Sequence, residues 1–216
     1  MKRMLEQKDF WDRESERLDA IYSHKKSRFA VLLDKSFRWA MYRRFKFTLK
    51  QSEPIHTKTF LDVGCGTGWY SLELARRGAK KVVGIDVSGR MIEVSRKLAQ
   101  KEGLEGKARF ILTDIMGYEP DDAFDICIGM GVLDYIKNPL PALTRIRGLT
   151  REKAFLSFPV LWSWRTLPRK LRLGLKRCPV YFYTRCRIYG LLTDAEFKRI
   201  IIKKMGPMYF VIAFRE

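Results

Sequence analysis

The sequence predicts an α/β fold, a mostly parallel sheet with helices on both faces. Three observations predict it. Short apolar runs alternate with stretches of helical period, a glycine cluster sits at the first strand-to-helix junction, and an Asp closes each of three successive strand-like runs. A length of 216 residues suits one domain with an appended segment and buries a core without staples.

The elements follow in order. Residues 1–28 form a charged helical lead with Phe10, Trp11, Leu18, Ile21 and Tyr22 as apolar points. Phe29, Leu32, Leu33, Phe37, Met41, Phe45 and Leu49 then recur at three- and four-residue steps, the face of an amphipathic helix that ends before Pro54. Residues 1–57 are thus expected to be an N-terminal helical lid and 58–216 the core. Strands are expected at Phe60–Val63, Lys81–Asp86, Ala108–Thr113, Phe124–Ile128 and Lys153–Phe158. Between them lie helices over Trp69–Arg77, Gly89–Lys101 and Pro139–Arg147, the first closed by Gly78. Thr193-Asp194-Ala195-Glu196 has the form of a capping box that opens a short helix. Arg199–Lys204 and Met208–Phe214 read as an antiparallel hairpin turning at Gly206-Pro207.

Composition narrows the function classes. With 43 Lys+Arg against 24 Asp+Glu, the formal charge is +19. The excess is uneven: Lys35, Arg38, Arg43, Arg44, Lys46 and Lys50 have no acid among them, and none appears from Lys153 until Asp194. Nucleic acid, an anionic surface or an acidic small substrate would each suit such asymmetry, and so would a solvated basic face. No run approaches the roughly 20 apolar residues of a spanning helix, and no signal-peptide core leads the chain. Two histidines and four cysteines without a CxxC pair disfavour a zinc site, so no metal is expected. The chain reads as a reduced, cytoplasmic protein. No motif specifies an oligomeric state.

Gly64, Gly66 and Gly68 follow a strand and open a helix, where a backbone without Cβ lets a ligand lie close. A dinucleotide fingerprint would need glycine or alanine at position 69, where Trp69 stands. No Gly-Lys-Ser/Thr follows, which excludes a phosphate-binding P-loop. Asp62 at the strand end suits a ligand bearing ammonium and sulfonium charge. Asp86 closes the second strand and can accept from both ribose hydroxyls of an adenosine. Asp114 closes the third, where it could accept from an adenine amino group with Ile115 beside the ring. Each Asp alone is equally a turn residue. Together they converge on the crevice at the strand ends where open α/β sheets bind ligands.

Leu61-Asp62-Val63-Gly64-Cys65-Gly66-Thr67-Gly68, with Gly84-Ile85-Asp86-Val87-Ser88, resembles the class I S-adenosylmethionine-dependent methyltransferases. Phe124 to Ile136 resembles that family's fourth-strand motif and the loop after it. The resemblance covers about residues 59–158. It implies a Rossmann-like, seven-stranded sheet whose last strand is antiparallel. Gly64, Cys65, Gly66 and Gly68 would line the methionine part of S-adenosylmethionine. Asp86 would hold the ribose, Val87 and Met91 would flank the adenine, and Asp114 with Ile115 would define its far edge. Gly129, Met130 and Gly131 would floor the site beneath the sulfonium.

The acceptor is less legible. The family's Asn/Asp-Pro-Pro-Tyr/Phe motif for amino methylation is absent after the fourth strand, so base N-methylation of that kind loses support. The expected acceptor is an oxygen of a small molecule, anionic or glycan-like to suit the basic cap, as the resemblance to small-molecule methyltransferases implies. Asp134 and Tyr135 are candidates to orient an acceptor hydroxyl, with Asp134 a candidate general base; the alternative is that Tyr135 packs on the cofactor and Asp134 caps the loop. Residues 160–190 form the expected substrate cap, with Trp162, Tyr183 and Arg165 among its aromatic and basic side chains and Tyr22 reaching over from the lid. An RNA acceptor is the alternative, favoured by arginines interleaved with aromatics. Asp86→Ala is expected to weaken cofactor binding by roughly 2–4 kcal/mol through loss of a two-hydroxyl acceptor; an unchanged affinity in calorimetric titration would remove the ribose assignment.

Overall fold

In the computed structural model, residues 41–161 and 180–216 are described. Residues 41–51 form helix α1, and Phe45 and Leu49 on its inward face are buried. Then come β1 (Thr59–Val63), α2 (Trp69–Arg76), β2 (Lys81–Asp86), α3 (Gly89–Lys101), β3 (Ala108–Leu112) and β4 (Phe124–Gly129). A 3-10 turn (Leu133–Tyr135), α4 (Leu140–Gly148), β5 (Thr150–Pro159), α5 (Arg185–Asp194), β6 (Arg199–Met205) and β7 (Met208–Phe214) complete the order.

The strands make one seven-stranded sheet in the order β3-β2-β1-β4-β5-β7-β6. Strands β1 to β5 pair in parallel. β7 runs antiparallel between β5 and β6, so the one reversed strand is the last, as expected. The order reverses at β1, whose neighbours are β2 and β4. The crevice of such a sheet opens above the carboxyl ends of those strands.

Both faces are covered, so the inner strands are apolar runs rather than alternating ones. One face packs Leu61, Val83, Cys127, Leu143, Ile146, Leu156, Ile188 and Leu192 around α4 and α5. The other packs Phe60, Val82, Ile126, Phe155 and Phe210 beneath Phe45 and Leu49 of α1, with Leu72 of α2 and Ile92 of α3. Each such side chain contributes about 1.5–3 kcal/mol by leaving water.

Two expected elements are corrected. The helix near the end of the chain is Arg185–Asp194, so Thr193 to Glu196 closes it rather than opening the next. Thr184 is the real N-cap, accepting from Arg187 N, while Thr193 Oγ1 donates back to Tyr189 O and Glu196 turns to a φ of 66°. The Thr-x-x-Glu spacing has no effect where the preceding residues are already helical. Strand β5 also begins three residues early, because Thr150 pairs with Phe124, and Arg151 and Glu152 are both exposed. Among the described residues, no helix is long and apolar enough to cross a membrane.

Gly84 marks where the sheet tolerates no side chain. A Cβ there would stand 2.7 Å from Phe110 Cδ1 and 2.9 Å from Cys65 Sγ, both buried. Gly84→Ala is therefore expected to destabilise the fold by about 1–3 kcal/mol, read as a lower denaturation midpoint at unchanged m-value.

Candidate active site

The loop after β1 is held by three hooks. Gly64 N and Cys65 N both donate to Ile85 O, at 2.8 and 3.0 Å. Gly66 N donates to Asp86 Oδ2 at 2.9 Å, and Asp86 Oδ1 accepts from Ser88 N at the same distance. Asp86 thus ties the glycine loop to the start of α3, and each carboxylate oxygen keeps acceptor capacity for a hydroxyl. Gly64, Gly66 and Gly68 all have positive φ, at 69°, 54° and 82°. A Cβ on Gly64 would press Val132 and one on Gly68 would press Phe110, whereas Gly66 faces open space within 4 Å. Gly66 is where a ligand can lie on the backbone.

Asp62 lies beneath this loop, 2% exposed, with Ser71 Oγ donating to its Oδ2 at 2.7 Å. Burial pushes its carboxyl up to about 7; the Ser71 hydrogen bond opposes that rise and the charge of Asp86 adds to it. Cys65 is buried beside it, and burial raises its thiol well above the ordinary range. The sequence-predicted Cys65 is therefore a packed neutral thiol next to the loop.

At the β2 and β3 ends, Val87 is half-buried, Met91 is 2% exposed and Ile115 is 5% exposed. Ser88 caps α3 by accepting from Met91 N at 3.2 Å. Asp114 Oδ1 accepts from Gly117 N at 2.7 Å, so this carboxylate closes a turn at the same place where it was expected to meet an adenine.

The β4 end forms the other wall. Gly129 packs against Leu156, where a Cβ would come to 3.0 Å. Gly131 has a φ of 85°, and its N–H donates to Ser157 Oγ at 2.9 Å. Met130 is half-buried against the α1 face of the sheet. Asp134, 1% exposed, sits in the 3-10 turn, and Tyr135 N donates to Val132 O at 3.3 Å.

That turn is clamped by the chain after β5. Tyr181 N donates to Asp134 O at 2.8 Å, Tyr183 OH donates to Leu133 O at 3.2 Å, and Val160 bridges Tyr183. Burial pushes the Tyr183 hydroxyl up to about 12, so it stays a donor. Tyr183 was expected among the aromatic walls of the cap; it is 1% exposed and belongs to the core, packed edge-on against Phe158. The contacts made by Ser71 and Ser157, and the core position of Tyr183, were missed by sequence reasoning, because nothing local in the sequence marks their partners. Tyr22, Trp162 and Arg165 lie outside the described residues. Among the described residues, no group of His, Cys, Asp and Glu could hold a metal ion.

A seven-stranded sheet with one reversed strand, a glycine loop and acidic residues at the ends of β1 and β2 defines the class I S-adenosylmethionine-dependent methyltransferases. The chain belongs to the methyltransferase domain family, whose model matches residues 56–181, more than half of it. It is 36% identical over 112 residues to the tRNA U34 carboxymethyltransferase of Actinobacillus pleuropneumoniae serotype 3. The Haemophilus influenzae enzyme of that name is 34% identical over 112 residues. Each alignment takes in 50% of this chain and 34% of the relative, so the chain spans about a third of the length of these curated relatives. In fold it is similar to the magnesium protoporphyrin IX methyltransferase of Synechocystis PCC 6803 with bound SAH, at a TM-score of 0.81 and 20% identity, over 99% of this chain and 100% of that one.

The buried Asp62 generates a stability prediction. A carboxyl held at about 7 when folded and near 3.8 when unfolded favours the fold fully below the lower value. That contribution is lost as pH rises through about 7. Asp62→Asn is expected to flatten the fall of stability between pH 4 and 8, a difference on the order of a few kcal/mol. Denaturant midpoints that fall in parallel for both proteins would show Asp62 ionised throughout.

Proposed function

We propose that this protein transfers a methyl group from S-adenosylmethionine to an oxygen of a small anionic or glycan-like metabolite. The observation that carries the reading is the clamp on the Leu133–Tyr135 turn. The chain's own segment after β5 fixes a buried carboxylate, Asp134, beside the β4 end of the site. The cofactor supplies a methyl group already activated on a sulfonium, so positioning carries much of the catalysis. Gly66 and the Asp86 carboxylate orient the cofactor, and Asp62 meets its positive charge. Asp134 accepts the proton of the acceptor hydroxyl, with Tyr135 beside it. The segment 160–190 covers the acceptor, and Trp162, Arg165 and Tyr22 contact it. The likeness over full length to a protein named for a small-molecule substrate supports this reading. We assign the protein to the cytoplasm, a reading supported by its free, buried Cys65 and Cys127.

A second reading, an RNA acceptor, is favoured by relatives named for tRNA U34 and by the charge of +19. Methyl incorporation separates the two when tRNA and metabolite pools are offered in parallel. Incorporation into tRNA alone, with binding that falls steeply with salt, would favour the second. With the acceptor in hand, Asp134→Asn is expected to lower kcat by about a hundredfold or more while leaving cofactor affinity intact. An unchanged kcat would make Asp134 a structural residue of the turn.

A further inference from the structure

Helix α1 and strands β6 and β7 contain no acidic residue, and they meet on one face of the sheet. The register puts Arg199, Ile201 and Lys203 of β6 on the same face as Phe214, Ile212 and Phe210 of β7. Lys153 of β5 stands on the other side of Phe214. Phe47 of α1 meets Phe210 edge-on at 5.2 Å, so the flank of α1 adjoins this part of the sheet.

The cations here are seated on rings. Arg199 Cζ lies 3.7 Å from the centroid of the Phe214 ring, and Lys203 Nζ lies 4.6 Å from that of Phe47. Lys153 Nζ is 5.7 Å from the Phe155 centroid, and Lys46 Nζ is 4.6 Å from that of Tyr42. Lys50 is exposed one turn further along α1. Among the described residues, none of these five makes an ion pair. Glu152 of β5 accepts instead from Lys58 Nζ at 2.6 Å. Burial lowers the Lys153 ammonium from its ordinary value; the Lys58 charge adds to that fall, Glu152 opposes it and Arg199 adds to it. A ring holds a cation in place without neutralising it.

The spacing shows what such a face fits. Arg199 and Lys203 are about 13 Å apart along the rise of β6, and Lys153 and Arg199 are about 10 Å apart across two strand spacings. Lys203 is level with Ser157, whose hydroxyl accepts from Gly131 N. The line of charge therefore runs from the amino ends of β5 and β6 towards the rim of the crevice. A bilayer surface would need apolar side chains standing proud of the cations. Here the rings of Phe47, Phe155 and Phe214 are half-buried or buried, and Ile201 between Arg199 and Lys203 is 36% exposed. Cations fixed at set intervals suit a chain of phosphates.

We propose that this face, with Arg199 and Lys203 at its centre, docks the phosphate backbone of an RNA. This deepens the RNA-acceptor reading and rests on it. Backbone contacts of this kind fix the position of the RNA, and the choice of nucleotide is left to the crevice.

Anisotropy titration of labelled bulk tRNA at a series of salt concentrations tests the surface. Arg199→Gln with Lys203→Gln is compared with Lys101→Gln with Lys107→Gln, an equal loss of charge from exposed positions at the β3 edge. The β6 pair is expected to weaken tRNA binding at least about tenfold and to lower the slope of log K against log salt by roughly 1.5, about 0.7–0.9 for each lost phosphate contact. The β3-edge pair is expected to stay within about threefold of wild type. Lys46→Gln with Lys50→Gln probes the same face from α1 and is expected to act as the β6 pair does, which keeps the test open should that pair fail to fold. Equal losses from the β6 and β3-edge pairs would overturn the proposal, because net charge alone would then explain them. So would tRNA binding untouched by the β6 and α1 pairs, or a β6 pair that loses only binding to vesicles of phosphatidylglycerol and phosphatidylcholine. Methyl incorporation tells this failure from that of the reading beneath it. Wild-type protein that methylates tRNA with a KM unchanged in the β6 pair would keep the RNA reading and lose the surface. Wild-type protein that binds no tRNA and methylates only a metabolite would lose both.

Discussion

The site depends on the carboxylate of Asp86. Its two oxygens accept from Gly66 N in the glycine loop and from Ser88 N at the start of α3, each at 2.9 Å. A loop whose three glycines all have positive φ would otherwise be the softest part of the molecule, since glycine loses the most conformational freedom on folding. One side chain at the end of β2 fixes the turn after β1 and the entry to the next helix together. Any hydroxyl pair that Asp86 also accepts is read by a group already oriented by protein hydrogen bonds, which lowers the ordering cost of binding.

The two walls of the crevice are built differently. The β1–β2–β3 wall is made of backbone and short polar contacts: the loop N–H groups on Ile85 O, Ser71 on Asp62, and Asp114 on Gly117 N. The β4–β5 wall is held by contacts far apart in sequence. Ser157 reaches Gly131, and Tyr181 and Tyr183 reach back about fifty residues to the Leu133–Tyr135 turn. The first wall can be kept by local sequence alone. The second requires the segment after β5 to be in place, so the Leu133–Tyr135 turn is coupled to the part of the chain that carries the greatest excess of basic residues.

This asymmetry explains what the sequence made legible. The glycines at 64, 66 and 68, and Asp86, announce themselves because the chemistry is local and depends on residue types with few other uses. Most helix and strand bounds followed from apolar period for the same reason. Tyr183 was misplaced because an aromatic among arginines has the same composition whether it lines a cap or packs against Phe158; only the chain's path after β5 distinguishes them. The Thr193–Glu196 signal failed because capping chemistry is read against the backbone before it, and that backbone was already helical. Arg44 was legible only as one member of a basic run. That its buried Nε has no hydrogen-bond partner among the described residues is a property of packing.

Asp62 and Arg44 extend the argument from geometry to charge. Both are nine-tenths buried or more, and they carry opposite sign. Burial pushes the Asp62 carboxyl up to about 7, and the buried Arg44 Nε has no hydrogen-bond partner among the described residues. Two such groups weaken the empty fold, and apolar side chains in their places would pack better. Residues that break a local rule in this way are expected where a site is kept ready for a ligand. A ligand that met either group would offset the corresponding cost, and binding would then be linked to stability.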